Sequence, residues 1–226
     1  MIIASTLQKS FGPQTLFDDV SFLINKGERI GLVGKNGTGK STLFKMIMGE
    51  EKQDSGTLST PKGYKIGALD QHIHFTKPTV IDECIEALPT EKQWDHYKAE
   101  IILSGLGFSE QDFQKDPTTF SGGFQVRINL CKALLADPNM LLLDEPTNYL
   151  DILSLRWLKD YLNKWPGEMM LITHDRDFMD QVTTHTLGLH RRQARKVSGG
   201  TIKFYELIIQ EEETYEQTRK NLENKR

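Results

Sequence analysis

The stretch that most restricts what this chain can fold into is "ERIGLVGKNGTGKSTLFKMIMG", residues 28–49. A short apolar run enters a glycine-rich turn, passes through Lys40 and Ser41, and continues as a helical pattern with apolar Leu43, Met46 and Ile47. Residues 34–41 fit G-x-x-x-x-G-K-[ST] between a strand and a helix, the setting in which that spacing has a mechanism. From average residue frequencies, a chance match in a chain this long has a probability on the order of one in a hundred. Successive backbone N–H groups and the positive end of the following helix surround phosphate groups. Gly34, Asn36, Gly37, Thr38 and Gly39 make the cradle and Thr42 continues into the helix. Gly37 and Gly39 permit a backbone geometry and a close approach that side chains would obstruct. Lys40 reaches the β- and γ-phosphates and Ser41 gives its hydroxyl to Mg2+.

Such a loop needs an open sheet behind it, and the sequence supplies the strands. "RIGLVG", "MLLLD" and "EMMLITH" are short, nearly continuous apolar runs ending in polar groups, as expected of parallel strands buried on both faces. Helical patterns at 126–135 and 154–162 alternate with them, which predicts an α/β fold with a parallel core sheet. Sheets of this kind bind ligands beyond the carboxyl ends of their strands. The polar groups at those ends are residues 34–41, Asp144 with Glu145, and His174 with Asp175. Residues 1–30 instead alternate in short runs broken by Gly12-Pro13 and Asn25-Lys26-Gly27, which predicts an N-terminal antiparallel β region. Residues 72–120 read as a short helical insert: a helix over 78–88, a break at Pro89 and a second helix around 94–106. The tail 204–226 has no Gly or Pro and is almost wholly polar, so it is expected to project as a C-terminal helix.

The strand ends also carry the means for phosphoryl chemistry. In "NMLLLDEPTN", Asp144 emerges from a buried strand where it can hold magnesium through water, and Glu145 can orient and polarise an attacking water. His174, at the end of a third strand, is placed to contact a γ-phosphate. The ligands implied are a nucleotide's phosphates and Mg2+, and the reaction is hydrolysis by the oriented water.

At this point the residues resemble a family. "FSGGFQVRINLCKALLADPNMLLLDEPTNYLD" looks like the signature helix, Walker B strand and D-loop of an ABC-type P-loop ATPase, and the resemblance extends over roughly residues 1–205. It implies Phe11 as the adenine-stacking aromatic, Gln71 in "GALDQ" as the Q-loop glutamine that serves catalysis and magnesium, and Asp151 as the D-loop aspartate. It also implies Ser121, Gly122 and Gly123 as the signature that meets the γ-phosphate, with Phe124 departing from the usual glutamine. "DEPTNYLD", with Asn148 its most telling residue, and "LKDYLNKWPGEMMLITHDRDFM" are similar to the first cassette of ABC-F proteins, soluble two-cassette ATPases that typically act on the ribosome. The stretch 197–226 resembles the lead into their helical inter-cassette linker, which in the family approaches tRNA in the P site.

The resemblance makes a cassette over 1–205 and a linker start over 206–226. It implies a partner, because each ATP is closed between the Walker A loop of one cassette and the signature of another. One loop and one signature occur here, so the second cassette is expected in the same full-length chain or in a homodimer, and a lone cassette should hydrolyse ATP weakly. Ribosome, rRNA and tRNA are the further partners implied. A transporter's nucleotide-binding subunit and a DNA-associated ATP switch are the alternatives, the former disfavoured by the short insert.

Charge decides little, since 28 Lys+Arg stand against 31 Asp+Glu. Cys84 and Cys131 lack zinc spacing and are expected to be buried or idle thiols in a reducing compartment. Nothing at Met1 resembles a signal peptide and no apolar run spans a bilayer, so a cytoplasmic protein without direct membrane insertion is expected. Arg191, Arg192, Arg195 and Lys196 read as a solvated hairpin or an rRNA contact, and Glu211, Glu212 and Glu213 as groups that keep the tail helix solvated. Trp94 and Tyr97 are expected to pack the insert, and His72 and His74 to bind no metal for want of a third ligand.

Overall fold

The computed structural model describes residues 1–69, 73–92 and 94–223, with backbone alone from 216 onward. Strands β1 (Ile2–Phe11), β2 (Gln14–Ile24) and β4 (Ser55–Ser59) form an antiparallel sheet in the order β2-β1-β4. A second sheet of six strands runs β5-β6-β7-β3-β8-β9, from β3 (Arg29–Gly34), β5 (Ile66–Ala68), β6 (Met140–Asp144), β7 (Glu168–Ile172), β8 (His185–His190) and β9 (Gln193–Ser198). Its first five strands pair in parallel, and β9 closes the edge antiparallel to β8.

Strand periodicity divides the core. Met140 and Leu142 of β6, with Met170 and Ile172 of β7, pack towards the antiparallel sheet among Ile2, Leu7, Ile24 and Leu43. Leu141, Leu143, Met169 and Leu171 point the other way, among Leu130, Leu134, Leu158 and Leu162. Alternate side chains of one strand thus serve two cores, the physical reason "MLLL" and "MMLI" are apolar without interruption. Each fully buried leucine or isoleucine contributes about 1.5–3 kcal/mol relative to exposure.

Helix α1 (Lys40–Met48) follows the glycine loop and α4 (Gly122–Leu135) precedes β6. Helices α5 (Ile152–Asn163) and α6 (Arg176–Val182) flank β7, with Asp151 and Asp175 as side-chain N-caps accepting from Ser154 N and Phe178 N. The insert holds α2 (Val80–Ile85), capped by Thr79, and α3 (His96–Gly105), with one short 3-10 turn before α3 and two after it. Glu83 pins it to α4: its buried carboxylate binds Lys132 and accepts from Thr76 N and Lys77 N, both at 2.9 Å. Cys84 and Cys131 are buried free thiols within this core, and burial and Cys84 together push the Cys131 thiol up.

Three expectations need correction. Trp94 and Tyr97 do not pack the insert; they are 91% and 54% exposed, and Leu103, Leu106, Phe108 and Phe113 fill it instead. The C-terminal helix α7 (Thr201–Glu223) starts earlier than the polar tail suggested, and Phe204 and Ile208 are buried in the core. Gly188 of β8 leaves the hollow for Phe204, since a Cβ there would lie 1.8 Å from the ring. Asp180 of α6 accepts from Thr201 N at 2.8 Å and from its hydroxyl at 2.9 Å. The basic hairpin is not simply solvated: Arg195 meets Glu211 at 2.7 Å, and Arg191 meets Glu212 at 3.6 Å. No helix among the described residues is long and apolar enough to cross a membrane.

Candidate nucleotide-binding site

The loop 34–39 turns off the end of β3 and delivers Gly39 as the N-cap of α1. Gly37 and Gly39 have φ of 80° and 99°, the left-handed region where a side chain is strained. Gly39 has a second reason to be glycine: a Cβ would lie 2.7 Å from the Phe17 ring of β2. No side chain caps α1, so its first amides are available to an anion along with the helix dipole. Within the loop, Thr38 donates its hydroxyl to Lys35 O at 2.9 Å, and Lys40 Nζ donates to Gly34 O at 2.9 Å and Lys35 O at 3.3 Å. Asn36 lies exposed at the tip, and Thr42 is half-buried behind Ser41.

The first long-range contact of chemical interest joins this loop to β6. Ser41 donates its hydroxyl to Asp144 Oδ2 at 3.2 Å across the parallel sheet. Burial pushes the Asp144 carboxyl up, against the opposing pull of the Ser41 hydroxyl and the Lys40 charge. A carboxylate held at this cost beside a hydroxyl is a donor set suited to a hard divalent cation. Among the described residues no three His, Cys, Asp or Glu side chains gather as a metal-binding group, so such a cation would draw on groups beyond this pair, phosphate and water among them. A cavity of about 530 Å³ opens beside the pair, lined by Phe44, Lys45, Met48 and Leu69 among others.

Glu145 follows with φ of 51°, a left-handed backbone for a residue with a side chain, held by the hydrogen bond its N–H donates to Ile172 O at 2.8 Å. Its carboxylate accepts from His174 N at 3.3 Å and lies 3.6 Å from His174 Nε2. Thr147 and Thr173 share a hydroxyl hydrogen bond of 2.9 Å, which links the two segments just beyond β6 and β7. His174 is itself 79% exposed at its side chain, open to a ligand.

The structure therefore brings Lys40, Ser41, Asp144, Glu145 and His174 to one end of the parallel sheet. Other candidates lie elsewhere. Phe11 is exposed at the β1–β2 turn, with Lys9 Nζ 4.8 Å from its ring centroid. Ser121 is the N-cap of α4 and its side chain makes no capping hydrogen bond, and Gly122 stands against open space. Gly123 backs onto Tyr149, while Asp151 caps α5 and is engaged by Arg127 at 3.1 Å. Among the described residues no hydrogen bond or ion pair joins Ser121, Gly122, Gly123 or Asp151 to the glycine loop. Gln71 lies outside the described residues, as does His72. Sequence reasoning missed the Thr147–Thr173 bridge and Arg127, both products of tertiary contact; an arginine between Val126 and Ile128 was the available signal for the latter.

Comparison with known proteins bears on this arrangement. The family described as ABC transporter matches residues 17–148, more than half of the chain. The energy-dependent translational throttle protein EttA of Escherichia coli (strain K12) is 39% identical over 214 residues, covering 93% of this chain and 37% of EttA. The probable ATP-binding protein YheS of Haemophilus influenzae is 32% identical over 234 residues, covering 90% and 37% respectively. The chain thus spans little more than a third of the length of these relatives. The solved ATP-binding subunit of an ABC transporter superposes with a TM-score of 0.76 at 22% identity, over 88% of this chain and 90% of that one. A dimeric ATP-binding cassette in a post-hydrolysis state, bound to ADP and Pi, superposes at 0.69 and 21% identity, over 88% and 98%. At such identities these two speak for the fold. The glycine loop, the acidic strand end, the superposable fold and the matched sequence agree: the chain belongs to the ABC transporter family, as an ATP-binding cassette of the ABC-F type.

Proposed function

We propose that this cassette binds Mg-ATP, hydrolyses it in partnership with a second cassette, and through that cycle modulates translation on the ribosome in the cytoplasm. The observation that carries the ATPase reading is the contact between Ser41 and Asp144, which joins the phosphate loop to the acidic strand end. Loop amides and Lys40 bind and orient the phosphates. Ser41 and Asp144, with Gln71, would hold Mg2+, which when bound neutralises charge on the phosphate oxygens. Glu145 accepts a proton from the attacking water, and His174 lies beside it to orient the γ-phosphate.

Ser121, Gly122, Gly123 and Asp151, remote from these groups in the hydrogen-bond network, serve the nucleotide of the opposing cassette. The dimeric solved cassette supports pairing as a mode of this fold. An isolated chain therefore lacks part of its transition-state contacts and turns over slowly. The translational role draws on the 39% identity to a translational throttle protein, against 22% to a transporter subunit that shares the fold. The ribosome, rRNA and tRNA are the partners that follow, with residues 206–226 as the start of the linker towards them.

Glu145→Gln tests both levels. It should lower ATP turnover by about 100-fold or more while nucleotide affinity is kept, because a general base is lost and the phosphate contacts are not. Normal turnover in the variant would remove Glu145 from the mechanism. In the longest available form of the protein, the same variant should co-sediment with ribosomes in ATP and not in ADP. Equal sedimentation in both nucleotides would reject the translational reading and leave the ATPase intact.

A further inference from the structure

Arg127 has work that the nucleotide site does not explain. It lies in α4 just beyond the signature and is only 8% exposed. Its guanidinium reaches three acceptors on two segments: Nε donates to Tyr149 O at 2.8 Å, and Nη1 donates to Leu106 O at 2.8 Å and to Asp151 Oδ2 at 3.1 Å. Its Cζ also stands 4.6 Å from the centroid of the Phe124 ring, which meets Phe108 edge-on at 5.1 Å. Asp151 completes the group by accepting from Ser154 N at 2.9 Å, and this amide together with Arg127 holds its carboxyl below the usual range.

Neighbouring residues are shaped around the same guanidinium. Gly107 has φ of 89°, and a Cβ there would lie 2.8 Å from Arg127 Nη1 and 3.2 Å from Ser154 Oγ. Gly123 of the signature packs against Tyr149, the residue whose carbonyl Arg127 holds, with a virtual Cβ only 3.4 Å from Cδ1. Two of the three acceptors are backbone carbonyls in loops, so what the arginine fixes is chain path. A planar fork can serve three acceptors at fixed angles; a lysine ammonium on a flexible stem cannot.

We infer that Arg127 is a positioning residue that locks the signature turn, residues 149–151 and the end of α3 into one rigid corner. The corner presents Ser121, Gly122 and Gly123 outward, so Arg127 governs catalysis at the nucleotide this corner faces on an opposing cassette. It does not govern the phosphate loop of its own chain. The inference rests on the paired-cassette reading above.

The test is Arg127→Lys, with Gly107→Ala as a second variant that crowds the guanidinium without replacing it. Four quantities are read in the whole chain: steady-state ATP turnover, equilibrium affinity for a fluorescent ATP analogue, melting temperature, and amide hydrogen exchange at 121–125 and 149–152. Arg127→Lys should lower kcat ~10-fold or more through misplacement of the corner, with analogue affinity and KM held within about twofold. Exchange should rise in both segments together. A parallel fall in kcat, analogue affinity and melting temperature would reduce Arg127 to a structural residue, and an unchanged kcat or unchanged exchange would overturn the inference. Should the parent chain bind no ATP analogue, the ATP-binding reading falls on that result; should it bind without turnover, exchange still decides whether the corner exists, and unchanged exchange overturns the inference.

Discussion

Glu83 shows how a single residue carries a pH dependence. Burial alone would raise its carboxyl, but the hydrogen bond from Lys132 and the amides of Thr76 and Lys77 outweigh it and hold the group below its ordinary value of 4.5. Its folded pKa is therefore depressed. The stabilisation is fully present above the unfolded value, near 4.5, and is lost as pH falls through the lower folded value. Glu83→Gln should cost about 2–3 kcal/mol at neutral pH, because Lys132 loses its counter-charge and the two amides keep only a neutral acceptor. The variant should also show a flatter loss of stability in acid than the parent; identical acid profiles in urea unfolding would dismiss the account. At this scale much of the site was legible. Lys40 and Ser41 open the helix after β3, and Asp144, Glu145 and His174 lie at or just past the ends of β6 and β7, positions that the loop motif and the apolar runs together predict. Glu83 and Arg127 were not, because their partners lie on elements whose approach no local pattern encodes.

Among the elements, the central strands were read closely: "RIGLVG" and "MLLLD" are β3 and β6 without change. Their double burial leaves an unbroken apolar run that turn residues delimit. The last helix was harder to read, since its polar composition hides two apolar anchors. Phe204 and Ile208 stand one turn apart, enough to dock the first turns and too few to give the whole segment an apolar face. Gly199 and Gly200 precede Thr201, and Asp180 then supplies the cap that local sequence lacks. Trp94 and Tyr97 mislead in the opposite sense, being large aromatics that the fold leaves in solvent. Phe204→Ala should destabilise the docked start of α7 by roughly 3 kcal/mol, as a cavity beside Gly188. Limited proteolysis should then open 201–215 before the rest of the chain. Cleavage no faster than in the parent would mean that the ring contributes little to docking.

The whole molecule joins that helix to the sheet edge by charge. Arg195 with Glu211, and Arg191 with Glu212 and with Tyr215, whose ring centroid is 4.7 Å from the guanidinium, bring together two groups that sequence presented as unrelated. These side chains are about half exposed, so each pair is worth less than about 1 kcal/mol and weakens with salt. Glu211→Gln combined with Glu212→Gln should release the hairpin and increase retention on heparin at low salt. Unchanged retention would show that the arginines were already free to meet polyanions. The cap at Asp180 and the Phe204 hollow have a mechanical meaning as well. They fix α7 at its root, and its 23 residues extend about 34 Å. A tilt of only ~10° at the root would sweep the far end by ~6 Å over that length. The helix is thus a lever arm: a displacement of α6 too small to notice within the cassette becomes a stroke the size of a side chain at its tip.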